Sequence, residues 1–205
     1  EPSPRAKLWY PRLVSYYPFE TIADGVTPDI ISGFDAVMMQ VGSAPLPGLN
    51  STEARVGNSC LQLANPDSAS ADGQYAQIPA GVADYKDITI SVWVHPKSII
   101  GWARLFDFGN GTDDYLFVTP DAGWGVLRFA IKVGGAAEQL LEGTSLPAGQ
   151  WSHVAVTITG NTGRLYRNGE LIAVNTAMTF NPIEVGAVLN YLGKSQYTAD
   201  PEFNG

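Results

Sequence analysis

The chain has a single cysteine, Cys60, so no internal disulfide can staple it. Cys60 lies in Ser59-Cys60-Leu61-Gln62-Leu63, a strand-like run, and reads as a buried apolar thiol. A thiol nucleophile needs a basic partner, and the only histidines are His95 and His153. They fall in separate segments with no third ligand at ordered spacing, so no catalytic zinc site is legible. Lys and Arg number 12 against 20 Asp and Glu, a formal net charge of −8. The clustered cations that hold phosphates are missing, so nucleic acid is not an expected partner. There is no basic amphipathic stretch, and no apolar run approaches the about 18 residues of a membrane span. A membrane is therefore not an expected partner. A Gly-x-Ser-x-Gly elbow, a P-loop and a Rossmann fingerprint are all missing too.

What the chain does have is glycine and proline, 22 and 14 of them, with 45% hydrophobic and only 16% charged residues. That balance favours many short elements joined by turns over charge-faced helices. A length of 205 residues suits one all-β domain. Period-two alternation runs along Asp87-Ile88-Thr89-Ile90-Ser91-Val92-Trp93-Val94-His95. Ile88, Ile90, Val92 and Val94 share one face; Thr89, Ser91, Trp93 and His95 share the other. Val154, Val156 and Ile158 alternate with His153, Ala155 and Thr157 in the same way, and Leu127, Phe129, Ile131 and Val133 against Arg128 and Lys132.

Shorter strands are expected over 14–19, 36–41, 60–63, 74–78, 104–108, 115–119, 138–142, 164–167, 170–175 and 191–193. Asn168-Gly169 is the favoured two-residue hairpin turn, because both positions need positive φ. Residues 43–57 are small, polar and Pro/Gly-containing and read as a loop. No helical period is sustained, so the pattern predicts a sandwich or barrel. Residues 1–13 are expected to be an N-terminal arm or linker, and 14–205 one domain.

Several phrases carry a family resemblance. Tyr16-Tyr17-Pro18-Phe19-Glu20, Asp29-Ile30-Ile31-Ser32-Gly33-Phe34-Asp35-Ala36 and Asp72-Gly73-Gln74-Tyr75 occur in order. Trp151-Ser152-His153-Val154-Ala155-Val156-Thr157 and Leu165-Tyr166-Arg167-Asn168-Gly169 follow them. Together they resemble laminin-G-like, concanavalin A-like modules, over about residues 14–205. Arg104-Leu105-Phe106-Asp107-Phe108-Gly109 and Ser195-Gln196-Tyr197-Thr198-Ala199-Asp200-Pro201 look like the modules attached to secreted enzymes acting on plant polysaccharides, notably arabinofuranosidase-type ones. The resemblance implies an all-β fold, a two-sheet antiparallel jelly-roll sandwich. It also implies a final strand after Asn204-Gly205, which this sequence does not include.

The same resemblance implies a non-catalytic carbohydrate-binding domain of a secreted or extracellular glycoside hydrolase. Its partners would be a polysaccharide or oligosaccharide and an adjacent catalytic domain. The sequons Asn50-Ser51-Thr52 and Asn110-Gly111-Thr112, and an opening Glu1-Pro2-Ser3-Pro4 that reads as a trimmed end, are compatible with export. The alternative is a structural or protein-interaction domain bracing a neighbour; a stand-alone lyase or hydrolase ranks below both. Glycosidase chemistry needs two carboxylates set about 5–5.5 or about 6.5–9.5 Å apart. No such run is legible, and Asp107 reads as a hydrogen-bonded residue lining a sheet face. No catalytic residue is assigned.

Sugars pack their C–H faces on aromatic rings. The candidates are Trp102, Tyr115, Trp124 and Tyr197; the loop-borne Trp102 and Trp124 read equally as ligand contacts or as lids over the core. Trp93 and Trp151 read as core residues. By resemblance a structural calcium would sit on Glu20 and Asp72, with Asp29 and Asp35 in the adjoining loop. The competing reading makes these acids Asx-turn or solvated loop residues.

Overall fold

The computed structural model describes residues 13–66 and 70–205, so the expected N-terminal arm lies almost wholly outside the described residues. In chain order the strands are β1 (Val26–Thr27), β2 (Ala36–Val41), β3 (Gly48–Asn50), β4 (Cys60–Gln62), β5 (Gly73–Ile78), β6 (Ile88–Val94) and β7 (Phe106–Gly109). They continue with β8 (Tyr115–Thr119), β9 (Val126–Lys132), β10 (Gln139–Thr144), β11 (Ser152–Thr159), β12 (Thr162–Arg167), β13 (Glu170–Asn175) and β14 (Leu189–Leu192).

One sheet runs β1-β2-β5-β14-β7-β8-β9-β10, a second β13-β12-β11-β6, and β3-β4 is a small ribbon. Every pairing is antiparallel. The two larger sheets close on one core, and the fold is a two-sheet jelly-roll sandwich. Leu116, Val118, Leu127, Phe129 and Ile131 enter it from the larger sheet; Val154, Val156, Ile158 and Leu165 from the smaller. Alternation decides which residues these are, since one face of each strand must leave water. Each such side chain contributes about 1.5–3 kcal/mol on burial.

The Asn168-Gly169 turn joins β12 to β13 with φ of 52° and 83°, the left-handed pair the hairpin requires. Two sequence expectations are corrected. Residues 14–19 form no strand. Pro18 lacks a donor, Phe19 has a φ of 52°, and the backbone bonds a loop instead: Tyr16 N–H donates to Asp29 Oδ1 at 2.8 Å. Conversely, the expected loop 43–57 contains β3, which pairs Gly48 with Gln62 and Asn50 with Cys60.

Candidate functional site

Cross-strand register builds a largely buried layer on the face of the larger sheet turned away from the main core. Tyr191 lies beside Asp107, Asp107 beside Phe117, and Phe117 beside Ala130. One row away Tyr115 faces Lys132, and on the other side Thr119 faces Arg128. All these side chains share one face because pairing preserves the pleat.

On this face three of the four sequence candidates connect. Tyr115 is 3% exposed. Its hydroxyl donates to Glu138 Oε1 at 2.7 Å and lies 3.4 Å from the Tyr197 hydroxyl. Burial, followed by these bonds to Tyr197 and Glu138, pushes the phenol well above its ordinary range, so it stays a neutral donor. Glu138 lies 3.8 Å from Arg128 Nη1, and Glu142 holds Arg128 through Nε at 2.8 Å and Nη2 at 2.6 Å. The Arg128 guanidinium sits 5.3 Å from the Trp102 ring centroid. Tyr115 is thus a support beneath the surface rather than a free platform. The bridging Arg128 and Glu138 were not singled out from sequence, and only strand register brings them to Tyr115.

Trp102 meets this face, and its backbone N–H donates to Asp121 O at 2.7 Å, which ties its loop to the adjacent one that carries Trp124. Both have left-handed backbones, with φ of 69° and 57°. For a bulky side chain that conformation is uncommon and costs about 1–3 kcal/mol. Trp102 is 37% exposed and Trp124 is 99% exposed. A lid over the core is therefore not what Trp124 provides.

Beneath the surface Arg104 is buried and bridges two acids. It donates to Asp200 Oδ2 at 2.8 Å, and its Nε lies 3.4 Å from Asp107 Oδ2. Its guanidinium also stacks 3.9 Å from the Phe117 centroid. Asp107 accepts the Gln196 N–H at 3.0 Å, and Ser195 Oγ donates to Asp200 at 2.8 Å. Burial pushes the Asp107 carboxyl up to about 6, against the opposing pull of Arg104. This cluster fastens the segment carrying Tyr197 across the sheet.

A second cluster occupies the outer face of β6 and β11, where the sequence expectation needs correction. Trp93 is not core: it is 39% exposed, stands opposite His153 in register and lies 5.1 Å from its ring. Trp151 is half-buried, 5.4 Å from the His95 ring. The period-two pattern puts Trp93 with Thr89, Ser91 and His95, opposite the aliphatic face; a place within or at the start of a patterned strand does not by itself bury a ring.

The proposed calcium ligands do not form a cage. Asp29 accepts backbone N–H groups from Tyr16, Ile31, Ser32 and Phe34 at 2.8–3.2 Å. Burial works against its charge, but these four donors outweigh it and hold the carboxyl below its ordinary value. Asp35 Oδ1 accepts the Asp29 N–H at 2.9 Å. Glu20 accepts from Asn58 at 2.9 and 3.3 Å, and Asp72 from the backbone N–H and hydroxyl of Ser43. Among the described residues no three His, Cys, Asp or Glu side chains converge on a common point. Carboxylates occupied by N–H donors serve here as loop ties, which does not fit a cation's demand for convergent oxygens.

Comparisons place the fold among known proteins. Domain 4 of AbnA, a GH43 extracellular arabinanase from Geobacillus stearothermophilus solved with arabinotriose, superposes with a TM-score of 0.64 at 17% identity, covering 82% of this chain and 78% of that one. The CBM40 of the Ruminococcus gnavus IT-sialidase, bound to alpha2,6 sialyllactose, gives 0.51 at 21% identity, covering 60% and 74%. Botulinum neurotoxin type C, whose cell entry is dependent upon interaction with two ganglioside molecules, gives 0.62 at 16% identity. That match covers 93% of this chain but 42% of the toxin chain. At these identities the likeness is one of fold. No curated protein matches the sequence. The pattern of one family covers residues 70–205, more than half of the chain, and by that match the protein belongs to the concanavalin A-like lectin/glucanases superfamily, in its Laminin_G_3 family.

Proposed function

We propose that the chain is a non-catalytic carbohydrate-binding module of a secreted enzyme that degrades plant-type polysaccharide. The observation that carries this reading is the pair Trp102 and Trp124, set on adjacent loops in left-handed conformations, with Trp124 99% exposed. An indole held out in water at a conformational cost has no packing role to explain it, whereas its face suits the C–H surface of a sugar. Arg128, stacked on Trp102, with Glu138 and Tyr197 linked to it through Tyr115, supplies orienting polar groups on the Trp102 side. The similar structures solved with arabinotriose and sialyllactose support the class of ligand. Weak affinity suffices for such a module, because tethering raises the effective concentration of an attached enzyme.

Affinity electrophoresis and titration with arabinan, arabinoxylan, galactan and their neutral oligosaccharides test the reading. Binding to at least one, weakened tenfold or more by Trp102→Ala or Trp124→Ala, is the expected result. Silence across the whole panel would sink it.

A second reading, a domain that braces a neighbour, has its own observation. The outer edge of β6 carries no paired strand among the described residues. An apolar groove of about 120 Å³ runs beside it, lined in part by Phe19, Leu61, Leu63, Val92, Val94 and Phe203. Open edges of this kind accept further strands. Hydrogen exchange at the β6 amides that slows when a neighbouring domain is attached favours this reading; unchanged exchange removes it.

A further inference from the structure

The smaller sheet carries a cleft chemically unlike the surface around Trp102. It opens on the outer face of β6 and β11, has a volume of about 460 Å³, and is lined by Arg55, Trp93, Trp151, His153, Asn168 and Gly169. That volume lies within the range of small-ligand sites. None of these residues is acidic, in a chain where Asp and Glu outnumber Lys and Arg by 20 to 12.

The Arg55 guanidinium lies 4.6 Å from the Trp93 centroid. Stacking fixes the guanidinium and leaves the edge of its N–H fork for a planar acceptor. Among the described residues no carboxylate pairs with Arg55. The nearby Glu53 carboxylate instead accepts from Asn50 Nδ2 at 2.9 Å. Asn168 Oδ1 accepts the His153 backbone N–H at 2.8 Å, which leaves the amide NH₂ as the group available to a ligand. Trp151 Nε1 donates to Glu53 O at 3.0 Å, so the indole is fixed and a ring face is what it can offer.

We propose that this cleft is a second ligand site, for a sugar that carries a carboxylate, such as a uronic acid residue. The Arg55 fork and the Asn168 amide take the carboxylate, and the tryptophan pair takes the C–H face of the ring. The Arg55 cation selects the charge: a carboxylate accepts charge-assisted bonds from it and a further bond from the Asn168 amide, while the hydroxyls of a neutral sugar accept only weaker bonds.

The test is calorimetric titration of the chain with trigalacturonic acid, its methyl ester, a glucuronic acid-bearing xylo-oligosaccharide and neutral galactotriose. At least one acidic probe should bind, with affinity that falls as salt rises. With the neutral-sugar loop removed by Trp124→Gly, the ester and the neutral trimer should bind at least tenfold more weakly than the acidic probe. Arg55→Gln, at an exposed position, should weaken the acidic probe at least tenfold with an unchanged near-UV circular dichroism spectrum, and Trp93→Phe should weaken it less. Trp102→Ala should leave it unaffected. Equal binding of acid and ester in the Trp124→Gly background, indifference to Arg55→Gln, or no binding of either acidic probe would overturn the proposal. Neutral sugars read the Trp102 surface separately, so either site can fail without the other.

Discussion

Arg104 and Asp200 stand 96 residues apart in sequence and 2.8 Å apart in space, with Arg104 only 2% exposed. The same guanidinium faces Asp107, so one buried cation serves two carboxylates. Removing the cation leaves Asp107 buried without its counter-charge. Arg104→Met should therefore cost about 3–5 kcal/mol, measured by urea unfolding. Asp200→Asn should cost less, because Asp200 is 21% exposed and Asp107 still faces the arginine.

Asp107 and Asp29 should give opposite pH signatures. The Asp107 carboxyl is raised to about 6 from 3.8. Its contribution to stability is full below about 4 and is lost as pH rises through about 6. The Asp29 carboxyl is lowered, so its contribution is present above the ordinary carboxyl value and is lost as pH falls below it. Thermal unfolding across pH 3–8 should show Asp107→Asn removing a decline between about 4 and 6, and Asp29→Asn flattening the acid limb.

Asp29→Ala should also destabilise at neutral pH. Four backbone N–H groups lose a charged acceptor, and bonds to charged groups contribute about 1.5–3 kcal/mol each. Water reaches some of these donors, so a net loss of about 2–4 kcal/mol is expected from urea unfolding. Calcium at millimolar concentration should not raise the melting temperature; a clear rise would restore the metal reading of these acids.

Trp124 separates binding from folding. It sits at φ 57° between Gly123 at 92° and Gly125 at 82°. Trp124→Gly removes the left-handed penalty and should change stability by no more than about 1 kcal/mol. The same change should abolish the neutral-sugar binding proposed for this loop.

The hairpin turn gives a further check. Asn168 combines a φ of 52° with a side-chain bond to His153 N–H. Asn168→Ala loses both and should cost about 1–2 kcal/mol in thermal unfolding. Asn168→Gly should cost less, since it loses only the bond.

Much of this was legible in the chain. Val154, Val156 and Ile158 announced an inward face by alternation, and Asn168-Gly169 announced its turn. The segment 14–19 looked like a strand because its residues favour extension, yet its backbone groups went to Asp29 and the loop around it. Trp93 shows the limit on the site. The period put it on the polar face, but whether that face stays open to water depends on what packs over it, which no local pattern records. Arg128 and Glu138 became visible as partners of Trp102 and Tyr115 only once β8, β9 and β10 were in register.

By itself the sequence determined the all-β class, most strands, the absence of a disulfide and the acidic balance. These follow from local steric preference, alternation and composition, which act over a few residues or over the chain as a whole. Only the tertiary structure showed that the four candidate calcium acids accept hydrogen bonds within and between loops, that Tyr115 is buried while Trp93 and Trp124 are not, and that Arg55 lies over Trp93 with no ion-paired acid among the described residues. Those outcomes depend on contacts between residues tens of positions apart, where packing sets which rings and charges meet water.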